Sequence, residues 1–488
     1  MKILKDLKEK LHAKGVDIIN TDYYDIIDMW NSWYKGSVDD FHYYNVKIAD
    51  GTTAEFERKT MSMAKKGAED MMKLLWSNKC DIKLGSDEKT KKLWDVLDSK
   101  QNNFTIMFPQ MIELAMALGT TAMTQYKDAM GRTRIEYINN AKAIIPYAYD
   151  NFNITGFIVF NQWQEVEKKN KMYYTHLTYH EFKPEKDENG EYKQVYRKYN
   201  EVYKSKNPDE LGKEVEFSEI FPDVEELVEE TTDTPHFQII KPPLANNVDI
   251  DTPMGLSIFG NSIDKLKAID NKYDSFDMEF VDGKRRILVD RTALKGTPQV
   301  DENGNISQQL YFDRNDRTYV AMNGMKDQPV KDISFDLRYQ EHIDSINAEL
   351  SWYAIDLGLG EDWYSYDGKG VASATEIISQ NDDAFRTKQT FEVVIKDVII
   401  DLVKSVCYLE DIELSENEIQ VEFDYSRFEN QEKVQMRLER EVSKGITSKV
   451  EYRMKVYGET EEIAKQKIAE IEANDPDIKT LLGTNNEE

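Results

Sequence analysis

Few residues in this chain have both the type and the spacing that catalysis needs. Asp367-Gly368-Lys369-Gly370 invites comparison with a phosphate-cradling loop, in which glycines turn backbone N–H groups toward an anion and a lysine reaches the terminal phosphates. It lacks both the upstream glycine and the following hydroxyl residue of GxxxxGK[ST]. Nucleotide hydrolysis therefore has no loop here. His176 and His180 stand four apart, the interval of a zinc-binding HExxH helix, but they fall in a stretch read as strand, and structural roles follow. GxSxG and CxxC are absent. Cys80 and Cys407, the only 2 cysteines, are too few for a disulfide framework or a zinc site and read as small buried apolar residues. Carboxylate pairs are unavoidable among 91 acidic residues, so their presence says nothing about acid–base catalysis. No catalytic residue, metal or cofactor is expected.

Two other groupings suit binding. Lys284, Arg285, Arg286, Arg291 and Lys295 cluster against Asp282 and Asp290. Glu361, Asp362, Trp363, Tyr364, Tyr366 and Lys369 lie in a glycine-punctuated run, 357–370, whose glycines permit turns with φ > 0 and mobility.

At 488 residues the chain exceeds what one hydrophobic core supports, and roughly two to four domains or subdomains are expected. Apolar residues make up 40% and aromatic residues 11%, enough to fold, while a 32% charged fraction and a mean hydropathy of -0.66 suggest an elongated body with much surface. No run of eighteen uncharged apolar residues supplies a transmembrane helix, and residues 1–10 lack the apolar core of a signal peptide, so cytosolic synthesis and folding are expected. The net charge of -28 argues against gripping nucleic acid by phosphate neutralisation. Such a protein either avoids DNA or lets it pass.

The elements that hold these groupings follow from apolar periodicity. Helical spacing predicts helices over 54–76, through Phe56, Met61, Ala64, Ala68, Met71, Met72 and Leu75, and over 104–125, with Gly119 placed for close packing or a helix break. The first 125 residues thus read as mostly helical. From 132 to 203 the period falls to about two, and with Asn189-Gly190 as a turn this predicts an antiparallel meander. Residues 214–233 read as a solvated acidic loop before a short strand at 237–240. Helices are predicted over 260–281 and 337–353. Between them lies a compact strand-rich insertion: 287–289, a turn at Asn303-Gly304, 310–312 and 319–322. Ser373-Ala374-Thr375-Glu376 is a capping box for the longest helix, running to Cys407. A strand at 419–423, two or three short charged helices over 431–473 and a polar, disordered end from 474 complete an α+β, mainly helical chain.

Three stretches carry a family resemblance. They are Gly119-Thr120-Thr121-Ala122-Met123 through Ile135, Tyr137 and Ile138 to Pro146-Tyr147-Ala148-Tyr149; Gly255-Leu256-Ser257-Ile258-Phe259 with the following Asp264-Lys265-Leu266; and Val371-Ala372-Ser373-Ala374-Thr375-Glu376-Ile377 continuing to Arg386-Thr387. In this order the chain resembles, over essentially its whole length, the portal or head-to-tail connector proteins of long-tailed bacteriophages of Gram-positive bacteria. The resemblance implies a portal fold: wing 1–250, stem helix 251–282, clip 283–335, second stem helix 336–356, tunnel loop 357–371, long wing helix and strand 372–426, crown 427–473 and tail 474–488.

It further implies a structural protein of the virion, made in the host cytoplasm, that forms a twelve-membered ring at the capsid vertex. Double-stranded DNA would pass through it during packaging and ejection, and its partners would be the terminase large subunit, a head-completion or neck adaptor protein, and the major capsid and scaffolding proteins, with no membrane. Helices about 10 Å apart around such a ring leave a bore of roughly 28 Å, which admits a duplex. Glu361, Asp362, Trp363, Tyr364, Tyr366 and Lys369 would face DNA, with Lys369 at a phosphate. Lys284, Arg285, Arg286, Arg291 and Lys295 would meet the motor, a neck protein or the next subunit; their plain alternative is a solvated strand edge guarded against aggregation. A helical scaffold or adaptor of phage assembly is the rival reading, and the strand-rich insertion counts against a simple coiled coil.

Overall fold

A buried strand, Thr121–Lys127, stands at the centre of the main core. Its residues 121–125 are all buried, because Phe237–Ile240 and Thr133–Ile138 pair with its two edges while the helices Phe104–Leu118 and Asp382–Leu409 pack against it. Burying polar side chains in such a strand requires internal partners. Gln125 and Gln238, neighbours across the sheet, exchange amide hydrogen bonds of 2.7 and 3.0 Å. Fully buried Asn102 donates to the carbonyls of Val96 and Thr133 and accepts from the Ile135 N–H. The computed structural model describes residues 2–47, 51–78, 80–167, 170–187, 189–283, 286–290, 296–300, 306–310, 319–322, 330–333, 336–365, 382–415, 418–424, 431–457 and 459–474.

Around this strand the helices Lys2–Ala13, Tyr23–Lys35, Met63–Leu75 and Asp87–Leu97 contribute one apolar face each to a continuous core. The 28-residue helix Asp382–Leu409 is fixed by Lys388, which is 1% exposed. Its ammonium donates to the Leu74 carbonyl at the end of the Met63–Leu75 helix (2.9 Å) and pairs with Glu392 one turn on. A cation at a helix C-terminus answers the negative end of the helix dipole, and the carboxylate completes its neutralisation.

A second sheet is the expected meander: Ile144–Asp150, Asn153–Glu167, Asn170–Lys186 and Tyr192–Ser205 pair antiparallel in sequence order. Farther along, Ile263–Asp282 and Tyr339–Asp356 form a helix pair. Between them Arg286–Asp290 pairs with Tyr319–Met322 in parallel and Val330–Ile333 antiparallel, and Gly296–Val300 forms a hairpin with Ile306–Leu310. Gln420–Glu422 pairs with Asp81–Lys83, and the helices Gln431–Ser443, Lys449–Tyr457 and Glu461–Asn474 follow.

Three sequence expectations are corrected. The helix expected over 54–76 begins only at Met63, since Thr53–Glu57 is a strand paired with Tyr43–Lys47 and puts Phe56 on a ribbon. The helix expected over 104–125 ends at Leu118, where Gly119 adopts φ 83° and hands the chain to a strand rich in threonine. The acidic run 214–233, expected as a solvated loop, contributes Lys213–Val215 and Leu227–Thr231 to the second sheet. Both pair with Tyr192–Ser205, whose Arg197 meets Glu229 at 2.7 Å and offsets the acidity. The proposed capping box at 373–376 and the turn at Asn303-Gly304 lie outside the described residues.

Gly119 also packs backbone to backbone against Gly255, so that a Cβ on either would overlap the other's carbonyl oxygen. Replacing Gly119 by alanine adds this collision to the left-handed penalty and should cost about 3 kcal/mol or more in urea unfolding. Gly131→Ala, also at positive φ but with open space around it, should cost only about 1 kcal/mol. Equal losses would mean that the Gly119–Gly255 contact contributes nothing.

Candidate functional site

The helix pair is joined by ion pairs at heptad spacing. Lys265 pairs with Asp356, Lys272 with Glu349 at 2.6 Å, and Glu279 meets Arg338 at 2.7 Å with His342 Nε2 at 3.7 Å. Positions 265, 272 and 279 thus face 356, 349 and 342, an antiparallel register in which each step of seven residues returns to nearly the same side of both helices. Phe276 and His342 add a ring contact of 5.5 Å between centroids. The buried apolar residues Leu266, Ile269, Leu350 and Tyr353 lie between the first two rungs of this ladder and Ile346 just beyond the second, on the half of the pair nearest the core.

A different face of Ile263–Asp282 holds the ribbon Tyr43–Lys47/Thr53–Glu57. Asp270, 3% exposed, accepts from Met61 N–H (2.8 Å) and from His42 Nε2 (3.0 Å). The Val38 N–H donates to His42 Nδ1, which leaves the imidazole proton on Nε2, facing the carboxylate. One and two turns on, Asp274 accepts from Lys59 N–H (3.1 Å) and Asp277 pairs with Lys59 Nζ (2.7 Å). Of ten carboxylates on the two helices, three therefore hold the ribbon and three hold the ladder.

The segment after the second helix is firmly rooted. Leu359 N–H donates to the Ala354 carbonyl and Gly358 N–H to that of Ile355, both at 2.9 Å, with Gly358 at φ 71°: a Schellman ending, which needs a residue tolerant of left-handed backbone. The Thr387 hydroxyl donates to the Gly358 carbonyl (2.7 Å), tying this end to the helix Asp382–Leu409. Tyr353 donates to the Met63 carbonyl and lies under Tyr364, ring centroids 6.1 Å apart.

Of the residues singled out in the sequence, Glu361 and Asp362 are exposed, Trp363 is half-buried against the core and Tyr364 is buried. Tyr366 and Lys369 lie outside the described residues, as do Lys284, Arg285, Arg291 and Lys295. Arg286 opens the strand Arg286–Asp290, of which the backbone is described at that position. The sequence reading missed Asp270, Asp274 and Asp277, whose i, i+4, i+7 spacing was there to be seen, and the heptad ladder as well.

His176 hydrogen-bonds Asn200 and His180 hydrogen-bonds Tyr196, inside the sheet; burial lowers the pKa of both imidazoles. Burial pushes the Cys407 thiol up to about 12, which removes its nucleophilic thiolate. Among the described residues no His, Cys, Asp and Glu cluster forms a metal site, and no helix is long and apolar enough to cross a membrane.

Arg338, through its side chain first and its backbone N–H second, holds the Glu279 carboxyl at about 2, well below the ordinary 4.5. A lowered folded-state pKa favours the paired helices above the ordinary value, and the contribution is lost as pH falls from 4.5 through about 2. Arg338→Met should return the Glu279 midpoint, followed by carboxyl NMR, most of the way to 4.5. A midpoint still near 2 would show that Arg338 is not the cause.

Residues 16–479 match the family model described as phage portal protein, SPP1 Gp6-like. No curated protein matches the chain. Among solved structures, a chain of the virion of a native gene transfer agent particle aligns at 9% identity and TM-score 0.38, covering 80% of this chain and 88% of that one. A chain from the neck of an empty gene transfer agent particle, computed with C6 symmetry, aligns at 10% identity and TM-score 0.39 with the same coverage. The match to the family model spans nearly the whole length, and the chain belongs to the SPP1 Gp6-like phage portal proteins.

Proposed function

We propose that copies of this chain stand side by side in a twelve-membered ring, with the helix pair as the wall of a channel for double-stranded DNA. The observation that carries the reading is that pair: two antiparallel helices, rooted in the core at one end, bracketing a strand-rich module at the other and followed by a segment with a clamped base. In this assignment residues 1–250 and 372–426 are the wing, 251–282 and 336–356 the stem, 283–335 the clip, 357–371 the tunnel loop, 427–473 the crown and 474–488 a tail.

The charge suits passage. A 20-residue helix is about 30 Å long, and a duplex presents roughly eighteen phosphates over that length. A basic wall would release counterions and hold the duplex. The two stem helices carry ten carboxylates against three lysines, so the wall gives DNA little to grip. The tunnel loop, through Glu361, Asp362, Trp363, Tyr364, Tyr366 and Lys369, would approach the duplex, with Lys369 at a phosphate. Half-buried Trp363 and buried Tyr364 fit the base of that loop better than its tip.

Lys284, Arg285, Arg286, Arg291 and Lys295 would serve contacts between clips or with the terminase large subunit and a neck adaptor. The wing and crown would meet the major capsid and scaffolding proteins at the capsid vertex. The role is structural, in a virion component. Electron micrographs of the purified protein should show closed rings with an open centre, and an ATPase assay should show no turnover above background. Monomers at all concentrations, or sustained hydrolysis, would count against the proposal.

A further inference from the structure

The chain has 6 histidines, and four of them stand within ion-pair distance of a carboxylate: His12 with Asp17 at 2.7 Å, His42 with Asp270 at 3.0 Å, His236 with Glu230 at 3.0 Å and His342 with Glu279 at 3.7 Å. A proton taken up at any of these meets an opposite charge. His176 and His180 differ. Among the described residues neither has a carboxylate within that distance, and their side chains bond instead to Asn200 and Tyr196. They stand four apart on the strand Asn170–Lys186, and so on one face of it.

That face lies against the three-stranded sheet around Thr121–Lys127. Lys198, opposite His180 on the next strand, holds its ammonium 4.7 Å from the centre of the Tyr126 ring. Phe157, opposite His180 on the other side, meets Phe237 at 5.1 Å. Residues directly paired across strands share a face, so His180 is enclosed between the two sheets and is 1% exposed. Its ring stacks on Phe157 at 5.1 Å and its Nδ1 meets the Tyr196 hydroxyl at 2.9 Å, while Nε2 has no hydrogen-bond partner among the described residues. Whichever tautomer holds, an imidazolium here would carry one N–H with nothing to accept it. Half-buried His176 meets Asn200 Oδ1 at 3.0 Å through Nε2, with Phe217 and Phe221 against its ring.

The titratable and charged groups turned toward the two rings are few. Tyr196 and Lys198 come from the next strand and Tyr126 and Glu136 from the three-stranded sheet, while Glu230 and His236 pair with each other beyond Tyr196. Burial above all holds both imidazoles below the ordinary 6.5, and Lys198 adds to this at each ring; at His176 the Asn200 bond and exposed Glu136 only partly offset it. Stability that depends on neutral rings is therefore full above 6.5 and falls as pH drops below it toward the folded-state values. Carboxylates keep their charge over that interval, so contacts built on them persist.

We propose that this face is an acid-operated seam, at which protonation of His180 and His176 parts the meander from the three-stranded sheet while the carboxylate-based contacts elsewhere hold. Such a seam works within one chain, whether or not copies assemble in a ring.

Hydrogen exchange followed by mass spectrometry at pH 7 and pH 5, corrected for the intrinsic rate, reads the opening of each segment. Opening of Asn170–Lys186 and Tyr192–Ser205 should rise by up to about 25-fold for each of the two histidines, against little change in the helix Phe104–Leu118. His180→Phe should take one of these factors away and His176→Gln the other, each with far-UV circular dichroism at pH 7 like the parent's. His12→Gln, at an exposed pair, should leave the rise unchanged. Equal opening at the two pH values, an equal rise in Phe104–Leu118, or a rise in His180→Phe as steep as the parent's would overturn the seam. Should His180→Phe fail to fold, the parent's two profiles and His176→Gln decide by the same criteria.

Discussion

The Asp270 carboxylate sets the geometry on which the rest of the chain's central region depends. A charge taken out of water persists only when its lone pairs are satisfied, and Asp270 is satisfied by two donors from one short segment, Met61 N–H and the His42 imidazole. The tautomer of His42 is dictated in turn by the Val38 N–H. The helix Ile263–Asp282, a ribbon and the core behind them are thereby fixed relative to one another at a single buried atom group. Leu266 and Ile269 add apolar burial on the same stretch of helix, so packing and hydrogen bonding agree about where that helix is rooted.

From that root outward, the character of the interactions changes in order. Near the core, Tyr353 and Leu350 are buried between the Lys265–Asp356 and Lys272–Glu349 pairs and Ile346 just beyond the second; at the far end, Glu279 and Arg338 carry the contact in water. Exposed ion pairs contribute little stability each. They do fix which residue stands opposite which, and a pair of helices extending from a core needs orientation as much as adhesion.

Much of this architecture could be read in the sequence because it rests on period. Ile263, Leu266, Ile269 and Tyr273 repeat as a helix does, and the strands from 144 to 205 alternate as a half-buried sheet does. What escaped is where charge does structural work. Asp270, Asp274 and Asp277 look like a solvated face, and only the fold brings Met61 and Lys59 to them from over 200 positions away. The glutamates of 214–233 look like a loop because the cation that offsets Glu229, Arg197, sits on another strand. Gly119 advertised a special position, but whether it meant close packing or a break depended on Gly255, and it proved to be both. For the segment after Asp356, the glycines and aromatics were visible, whereas the clamp between Gly358 and Thr387 joins positions 29 apart that no local pattern connects.

The ladder between the paired helices Ile263–Asp282 and Tyr339–Asp356 changes sign along its length. Lysines of the first helix face acids twice, and then its glutamate faces Arg338 and His342. Sliding one helix past the other by seven residues in one direction sets Glu279 against Glu349; in the other it sets Lys272 against His342 and Arg338. Each slip keeps one lysine–carboxylate pair, Lys272 with Asp356 or Lys265 with Glu349, but brings one like-charge pair together, Glu279 with Glu349 or Lys272 with Arg338. Two helices held only by uniform apolar contact would have no preferred step of seven residues, whereas these have one register that gives each charged position of the ladder an opposite partner.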